Sequence, residues 1–305
     1  MGKYIIKRVL KALLTIWLVY TFVFCMTRLT GDPVEWVLDE DAEEATKQAL
    51  REQYGLDKPL YEQYVSTVVD MFRGDAGTSY YYKQPVTQLF SERIGVTLKI
   101  NGLVLILSFL LGVPIGILCA LRPESKLDKS VRTLTVLGHT TPNFVIAILL
   151  IFVFSLWLHL LPSGELKSWL SWIMPVTTLT IGHLSQIVRQ TRGSMLDVLH
   201  EDYLDTARAK GVHESIVIFK HGLRNALIPV VTVFGNMLGH IVGGAVIIEN
   251  VFALPGVGFL IVNGAKHRDF PLVQFGVLVI ACVVTVVNIL VDISYSFLNP
   301  RLRDN

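Results

Sequence analysis

Runs of twenty or so apolar residues recur along this chain, and they leave few choices of fold. The runs cover 9–29, 96–121, 134–160, 172–188, 227–248 and 273–298. A helix needs about 20 residues to cross the ~30 Å hydrocarbon core of a bilayer. Within such a segment only a helix satisfies its own backbone N–H and C=O groups. The expectation is an all-α polytopic membrane protein with six transmembrane helices, seated in a lipid bilayer. Composition agrees. The 305 residues are 52% hydrophobic and 17% charged, against about 25% charged in soluble domains. The charge is clumped between the apolar runs. No basic patch interleaves with aromatics, which excludes nucleic acid as a partner.

The chain begins "MGKYIIKRVLKALLTIWLVYTFVFCMTRL", a basic head on an apolar body. A cleaved signal peptide has this shape. Two points favour a retained first span: the apolar part, 9–29, is long enough to cross, and no A-x-A-like site follows. Cys25, Cys119 and Cys282 all fall inside apolar runs. They form neither a disulfide framework nor a zinc site, which needs clustered ligands. Cys25 also lacks the preceding small residue that lipoprotein processing requires.

The distribution of Lys and Arg sets the orientation. Lys3, Lys7 and Arg8 precede the first run, and Lys11 lies at its start. Arg122, Lys126, Lys129 and Arg132 follow the second. Arg189, Arg192, Arg208, Lys210, Lys220 and Arg224 lie between the fourth and fifth, and Arg301 and Arg303 close the chain. The short loops of the opposite side hold only Lys167, Lys266 and Arg268. Both termini are therefore expected in the cytoplasm, together with the segment 189–225. Residues 30–95 are expected to form a small external helical domain. Its acidic run, 39–45, reads as a solvated helix start, since acids are favoured near a helix N-terminus and no His or Cys lies nearby to make a metal site.

The fourth run, "SWIMPVTTLTIGHLSQIV", is too polar for a lipid-facing helix. Polar residues in a span face the bundle or a water-filled path. Thr177, Thr180, His183 and Gln186 are therefore candidates to line a pathway, with His139, Asn236 and His240 from other runs. His139 sits beside Thr140, Thr141 and Pro142, where a kink is expected. Glu249 is expected at the external mouth, and Asp292 near a cytoplasmic cation.

The stretch "EDYLDTARAKG", 201–211, stands out as polar in an oily chain. Glu201, Asp202 and Asp205 come first, and Arg208 and Lys210 last, which suits a helix macrodipole. Asp205 and Arg208 are spaced to pair at i, i+3, and Gly211 is placed to end the helix. Tyr203, Ala207 and Gly211 fall at i, i+4 and i+8. A face with small residues lets another surface approach closely, as a helix docked in a partner's groove requires.

Residues 201–232, "EDYLDTARAKGVHESIVIFKHGLRNALIPVVT", resemble the cytoplasmic signature of ABC importer permeases, most of all the dipeptide/oligopeptide/nickel family. The general E-A-A, three residues, Gly pattern stands here as Asp205-Thr206-Ala207 and then Gly211. The H-x-L-R-N-A run at 221–226 replaces the general I-x-L-P ending and is similar to the peptide and nickel branch. "GDPV" at 31–34, "YGLDKPLYEQY" at 54–64, "GDAGTSY" at 74–80, "IIENVFALPGVG" at 247–258, "RDFPLVQ" at 268–274 and "NILVDISYSFLNPRLR" at 288–303 extend the likeness over nearly the whole chain.

The resemblance implies a type I importer fold and three parts: 1–29 as cytoplasmic N-terminus and first helix, 30–95 as external domain, and 96–305 as permease core with the coupling segment 189–225. It implies a second, related permease subunit, two ABC ATPase subunits below and a substrate-binding protein above. Glu201, Asp202, Tyr203, Asp205, Thr206, Ala207, Arg208, Ala209, Lys210, Gly211, His221, Arg224 and Asn225 would contact an ATPase. Glu249, Asn250, Phe252, Pro255, Gly256, Arg268 and Asp269 would face the binding protein; turn chemistry alone would equally explain the loop's Pro and Gly residues. ATP and magnesium would sit on the ATPases, with no cofactor or metal on this chain, which holds no G-x-x-x-x-G-K-[ST].

Two rivals are weaker. An ion-driven secondary transporter would show paired inverted repeats with broken helices, and the segment 30–95 has no counterpart. An intramembrane metalloprotease would need H-E-x-x-H, whereas His213-Glu214 is followed by Val217; no G-x-S-x-G occurs either. The expected cargo is a short peptide, with a nickel or other metal chelate as the alternative. The 8 histidines are scattered.

Overall fold

The computed structural model describes residues 2–38 and 42–298. Its regular elements there are helical, with one isolated antiparallel bridge between Thr78 and Pro85. In chain order they are α1 (Gly2–Leu29), α2 (Val34–Val37), α3 (Glu44–Gln53), α4 (Leu60–Phe72), α5 (Val86–Leu121), α6 (Lys126–Thr140) and α7 (Asn143–Leu150). A π-helical stretch, Ile151–Trp157, extends α7. Then come α8 (Ile173–Leu199), α9 (Asp202–Ala209), α10 (Glu214–Ile216), α11 (Leu223–Val251), α12 (Val257–Lys266) and α13 (Phe270–Leu298). A second π-helical stretch, Val217–Gly222, leads from α10 into α11.

Among the described residues, Ile6–Leu29, Val86–Leu121, Glu214–Gly239 and Phe270–Val291 are long and apolar enough to cross a membrane. The run 134–160, expected as one span, is instead a broken pair: Lys126–Thr140 and Asn143–Trp157 meet at 104°. Pro142 is the cause. It lacks an N–H, and its ring drives Thr141 out of the helical region, to φ −77° and ψ 126°. The run 172–188 covers the first part of α8, whose 27 residues reach ~40 Å at 1.5 Å per residue. Its polarity, not its length, sets it apart. Of the acidic run 39–45, residues 39–41 lie outside the described residues, and Glu44 opens α3.

The chain forms two compact units. One comprises Met1–Thr97 and Pro255–Val286, the other Leu98–Leu254 and Val287–Asn305. In the first, Val86, Leu89 and Phe90 from the start of α5 pack with Val257, Leu260 and Ile261 of α12 and Leu272 of α13. Asp269 fastens the loop before α5. It is fully buried and accepts from Ser79 Oγ and, at 3.1 Å, from the Tyr81 N–H. Tyr80 stacks on Tyr54 with ring centroids 4.1 Å apart. Burial pushes its phenol above the ordinary range, so it stays neutral in that stack.

In the second unit the helices gather on α8. Leu179, Ile187 and Met195 are fully buried along it. Gly112 and Gly116, one turn apart on α5, bring that helix close. A Cβ at Gly112 would lie 2.6 Å from Ile187 Cγ2, and one at Gly116 2.6 Å from Thr191 Cβ. Small residues four apart are how helices approach without a hydrophobic drive between them. Asp128 of α6 is fully buried and accepts from Arg192 of α8 at both oxygens, from Nε at 2.6 Å and Nη2 at 2.8 Å. The Glu124 N–H adds a 3.1 Å bond to the same carboxylate.

Asp128→Ala leaves the Arg192 guanidinium without its anion, and removing one partner of a buried pair costs about 3 kcal/mol or more. The unfolding midpoint of the solubilised protein should fall accordingly. A change no larger than that of a surface substitution, about 0.5 kcal/mol, would show that the pair does not hold α6 on α8.

Candidate functional site

The segment 201–211 is built as a short helix on a stalk. The helix α8 runs on past the apolar run, to Leu199. The chain then turns at His200, and Glu201 adopts an extended conformation, φ −83° and ψ 135°, before α9 begins. One residue of α9 is buried, Leu204, at zero exposure. It lies beside Gly222, where a Cβ would come within 3.7 Å of Leu204 Cδ1. Sequence reading missed this anchor. Its signal was the one large aliphatic side chain in an otherwise polar and small-residue stretch.

The C-terminus of α9 closes in a Schellman motif. The Gly211 N–H donates to the Arg208 carbonyl at 2.9 Å, and the Val212 N–H to the Ala207 carbonyl at 3.3 Å. Gly211 has φ +77°, the left-handed conformation that side chains resist. The expected face of Tyr203, Ala207 and Gly211 therefore needs correction. Gly211 has left the helix and terminates it, so only Tyr203 and Ala207 share a helical face.

The expected pair forms: Arg208 Nη1 donates to Asp205 Oδ1 at 2.7 Å. The same guanidinium clamps Glu214, with Nε and Nη2 donating to its two oxygens at 3.2 and 3.1 Å. Tyr203 ties α9 to the next long helix. Its hydroxyl accepts from Asn225 Nδ2 at 2.8 Å and reaches the His221 carbonyl at 3.4 Å. Glu201, Asp202, Tyr203, Asp205, Thr206, Ala209, Lys210, Gly211, Arg224 and Asn225 are exposed, while Ala207, Arg208 and His221 are half-buried. The structure thus gathers the whole set onto one small, internally bonded platform.

The other two sets do not gather so cleanly. On α8, Thr177 is exposed, His183 and Gln186 are half-buried, and His183 Nδ1 bonds to the Leu179 carbonyl at 2.9 Å. Thr180 is buried in the chain's own packing, so it does not face an open path. His139 and Asn236 are exposed. The side chains of His240 and Asp292 lie outside the described residues. Of the residues expected to face a binding protein, Glu249, Phe252, Gly256 and Asp269 are buried. They are corrected to internal positions: Asp269 holds Ser79 and Tyr81, and the carbonyls of Glu249 and Phe252 accept from the Leu254 and Glu165 N–H groups at 2.8 and 3.1 Å. Pro255 is exposed, and Asn250 and Arg268 are half-buried.

Comparison with known proteins completes the picture. Residues 112–304 match the family described as the binding-protein-dependent transport system inner membrane component, and residues 1–101 match its N-terminal companion. The chain belongs to this family, the permeases of ABC importers, in its peptide branch. It is 40% identical to a glutathione transport system permease protein of Pectobacterium atrosepticum, over 99% of each chain. It is 37% identical to a probable peptide ABC transporter permease protein of Sinorhizobium fredii, over 99% of this chain and all of the other. It is 36% identical to an oligopeptide transport system permease protein of Bacillus subtilis, over the same shares. A solved structure, an amino acid ABC transporter crystallised with histidines, shares the fold: TM-score 0.57, 16% identity, 68% of this chain and 92% of that one. The protein is a multi-pass permease subunit of the cytoplasmic membrane with the type I importer fold. ATP hydrolysis belongs to separate subunits, and the family works with ATPases and a substrate-binding protein.

Asn225→Ala removes the donor to Tyr203. One such bond is worth about 1 kcal/mol. Amide hydrogen exchange should rise across α9 and leave α8 unchanged. Equal exchange in both proteins would show that Tyr203 does not fasten the helix.

Proposed function

We propose that this permease imports short peptides, and that α9 is the helix through which partner ATPases drive it. The observation that carries the coupling role is the build of α9. It stands exposed, yet it is fixed at its foot by Leu204, at its end by Gly211, and sideways by Tyr203 and Arg208. A lever must not bend, and each of these bonds removes a way of bending. The acids and cations named above then offer complementary charge to a socket on the ATPase.

In this reading both termini and the segment 189–225 face the cytoplasm. Residues 30–95 form an external domain between 1–29 and the core, 96–305, and six helices cross the membrane. A second, non-identical permease completes the pathway, and two ATPases holding ATP and magnesium sit below. Closure of the ATPases moves α9 as a rigid body, and α11 moves with it through the Tyr203–Asn225 bond. The pathway opens outward to the binding protein and, after hydrolysis, inward.

The cargo rests on the relatives, whose printed names give peptide, glutathione and oligopeptide. These share a peptide backbone and a free carboxylate. Dialanine, presented with the binding protein, should stimulate the ATPase activity of the reconstituted importer; a nickel chelate should not. The reverse result would overturn the peptide reading.

Ala207→Trp and Gly211→Trp test the coupling role. The first puts bulk on the docking face, and the second forces a large side chain into a left-handed backbone. Both variants should assemble in the membrane and lose uptake. Normal uptake by both would sink the role given to α9.

A further inference from the structure

The helix α4 has three faces. Tyr64 meets α1: its hydroxyl lies 2.8 Å from Thr21 Oγ1, and its ring centroid lies 5.1 Å from that of Phe24 and 5.9 Å from that of Tyr20. Gln63, Ser66, Thr67 and Asp70 line a cavity of about 710 Å³. Tyr61, Val65, Val69 and Phe72 make the third face. Their i, i+4, i+8 and i+11 spacing puts them on one stripe of the helix. They are 69, 57, 39 and 88% exposed. At 3.6 residues per turn the stripe falls almost opposite the polar face on the cavity.

What covers such a stripe depends on its depth, and α1 fixes the depth. The apolar segment Ile6–Leu29 has 24 residues and reaches ~36 Å at 1.5 Å per residue, against a hydrocarbon core of ~30 Å. Thr21 stands ~12 Å short of Leu29 along that axis. Tyr64 therefore meets α1 inside its membrane-spanning segment, not beyond its end. Lipid chains reach that level; a soluble partner does not. The ends of α4 fit the same place. Lys58 precedes the helix and Arg73 follows it, both exposed, and long cationic side chains turn toward phosphate headgroups. Glu62 bounds the stripe on the side away from α1 and accepts from the Tyr61 hydroxyl at 3.1 Å. That leaves the tyrosine ring apolar in body and satisfied at its tip, as aromatics at a membrane interface are.

We infer that α4 is an amphipathic helix lying in the bilayer interface. Its stripe of Tyr61, Val65, Val69 and Phe72 sits among the acyl chains of the leaflet where α1 ends, and its opposite face turns to water. Such helices bury their apolar face ~5–10 Å into the boundary between headgroups and chains, which agrees with the level of Thr21. The segment 30–95 is then moored to the membrane at α4, besides the long helices on either side of it. This inference rests on α1 crossing the bilayer and is independent of cargo and of coupling.

Nitroxide labels on the assembled importer in nanodiscs of phosphatidylcholine and phosphatidylglycerol test it. Cys25→Ala and Cys282→Ala remove the accessible thiols, and the buried Cys119 stays. Val65→Cys and Phe72→Cys then place a label on the stripe, and Ser66→Cys places one on the polar face. Power saturation compares dioxygen, which enters hydrocarbon, with chromium oxalate, which stays in water. Labels at 65 and 72 should collide more with dioxygen, and the label at 66 more with chromium oxalate. The aqueous order at 65 and 72, or the same order at all three positions, would overturn the inference. Little collision with either reagent at 65 and 72 would overturn it too, since protein then covers the stripe. A rise on omitting the binding protein would name that protein as the cover, and no rise the second permease. Val69→Cys stands in for either stripe variant that fails to assemble.

Discussion

Arg192 and Asp128 meet through two charge-assisted hydrogen bonds, and the packing of the second unit is arranged around that meeting. A carboxylate at zero exposure is tolerable only when its charge is matched and its lone pairs are filled. Arg192 and the Glu124 N–H do both. The pair joins α6 to α8, and α8 is also where α5 closes in over Gly112 and Gly116. A helix as polar as α8 gains little from lipid. Steric fit and this ion pair hold it instead, so its position is set by directional contacts rather than by burial alone.

The same logic continues into the segment that follows. The stalk of α8 delivers α9, and a few short bonds fix α9 against the start of α11. Leu204 contributes burial, Gly211 a backbone conformation, and Tyr203 and Arg208 hydrogen bonds. None is strong by itself. Together they turn eight residues, too few to be helical alone, into a defined body. The coupling role proposed for α9 draws on this: the Tyr203–Asn225 bond ties it directly to α11.

Particular residues show how far the sequence could be read. The helix signals of 201–211 were legible because they are local: acids first, bases last, and a glycine that ends the helix. The partner of Asp205 was legible for the same reason, at i, i+3. Pro142 announced a kink, but its size, 104°, depends on what α6 and α7 pack against. Leu204 was unreadable as an anchor because the groove receiving it comes from residues nearer 200 and 222. Glu249 and Asp269 looked like surface charges beside a loop rich in Pro and Gly. Both are buried, and for Asp269 the reason is a serine and a backbone amide about 190 positions away in the chain. The tie between Arg192 and Asp128 was equally out of reach, since Arg192 counted only as a charge between apolar runs and its partner lies 64 positions away in the chain.

By itself the sequence determined that the chain is a polytopic helical protein, because apolar length and backbone satisfaction in lipid admit nothing else. Its motifs carried the family resemblance that the comparisons show. Only the tertiary structure decided which polar residues are structural and which are free to act. That distinction is one of burial and partners, and both depend on segments far apart in the chain. Arg28 makes the point. In the sequence it is one cation at the end of an apolar run. In the fold its guanidinium carbon lies 4.7 Å from the ring centroids of both Phe24 and Phe270.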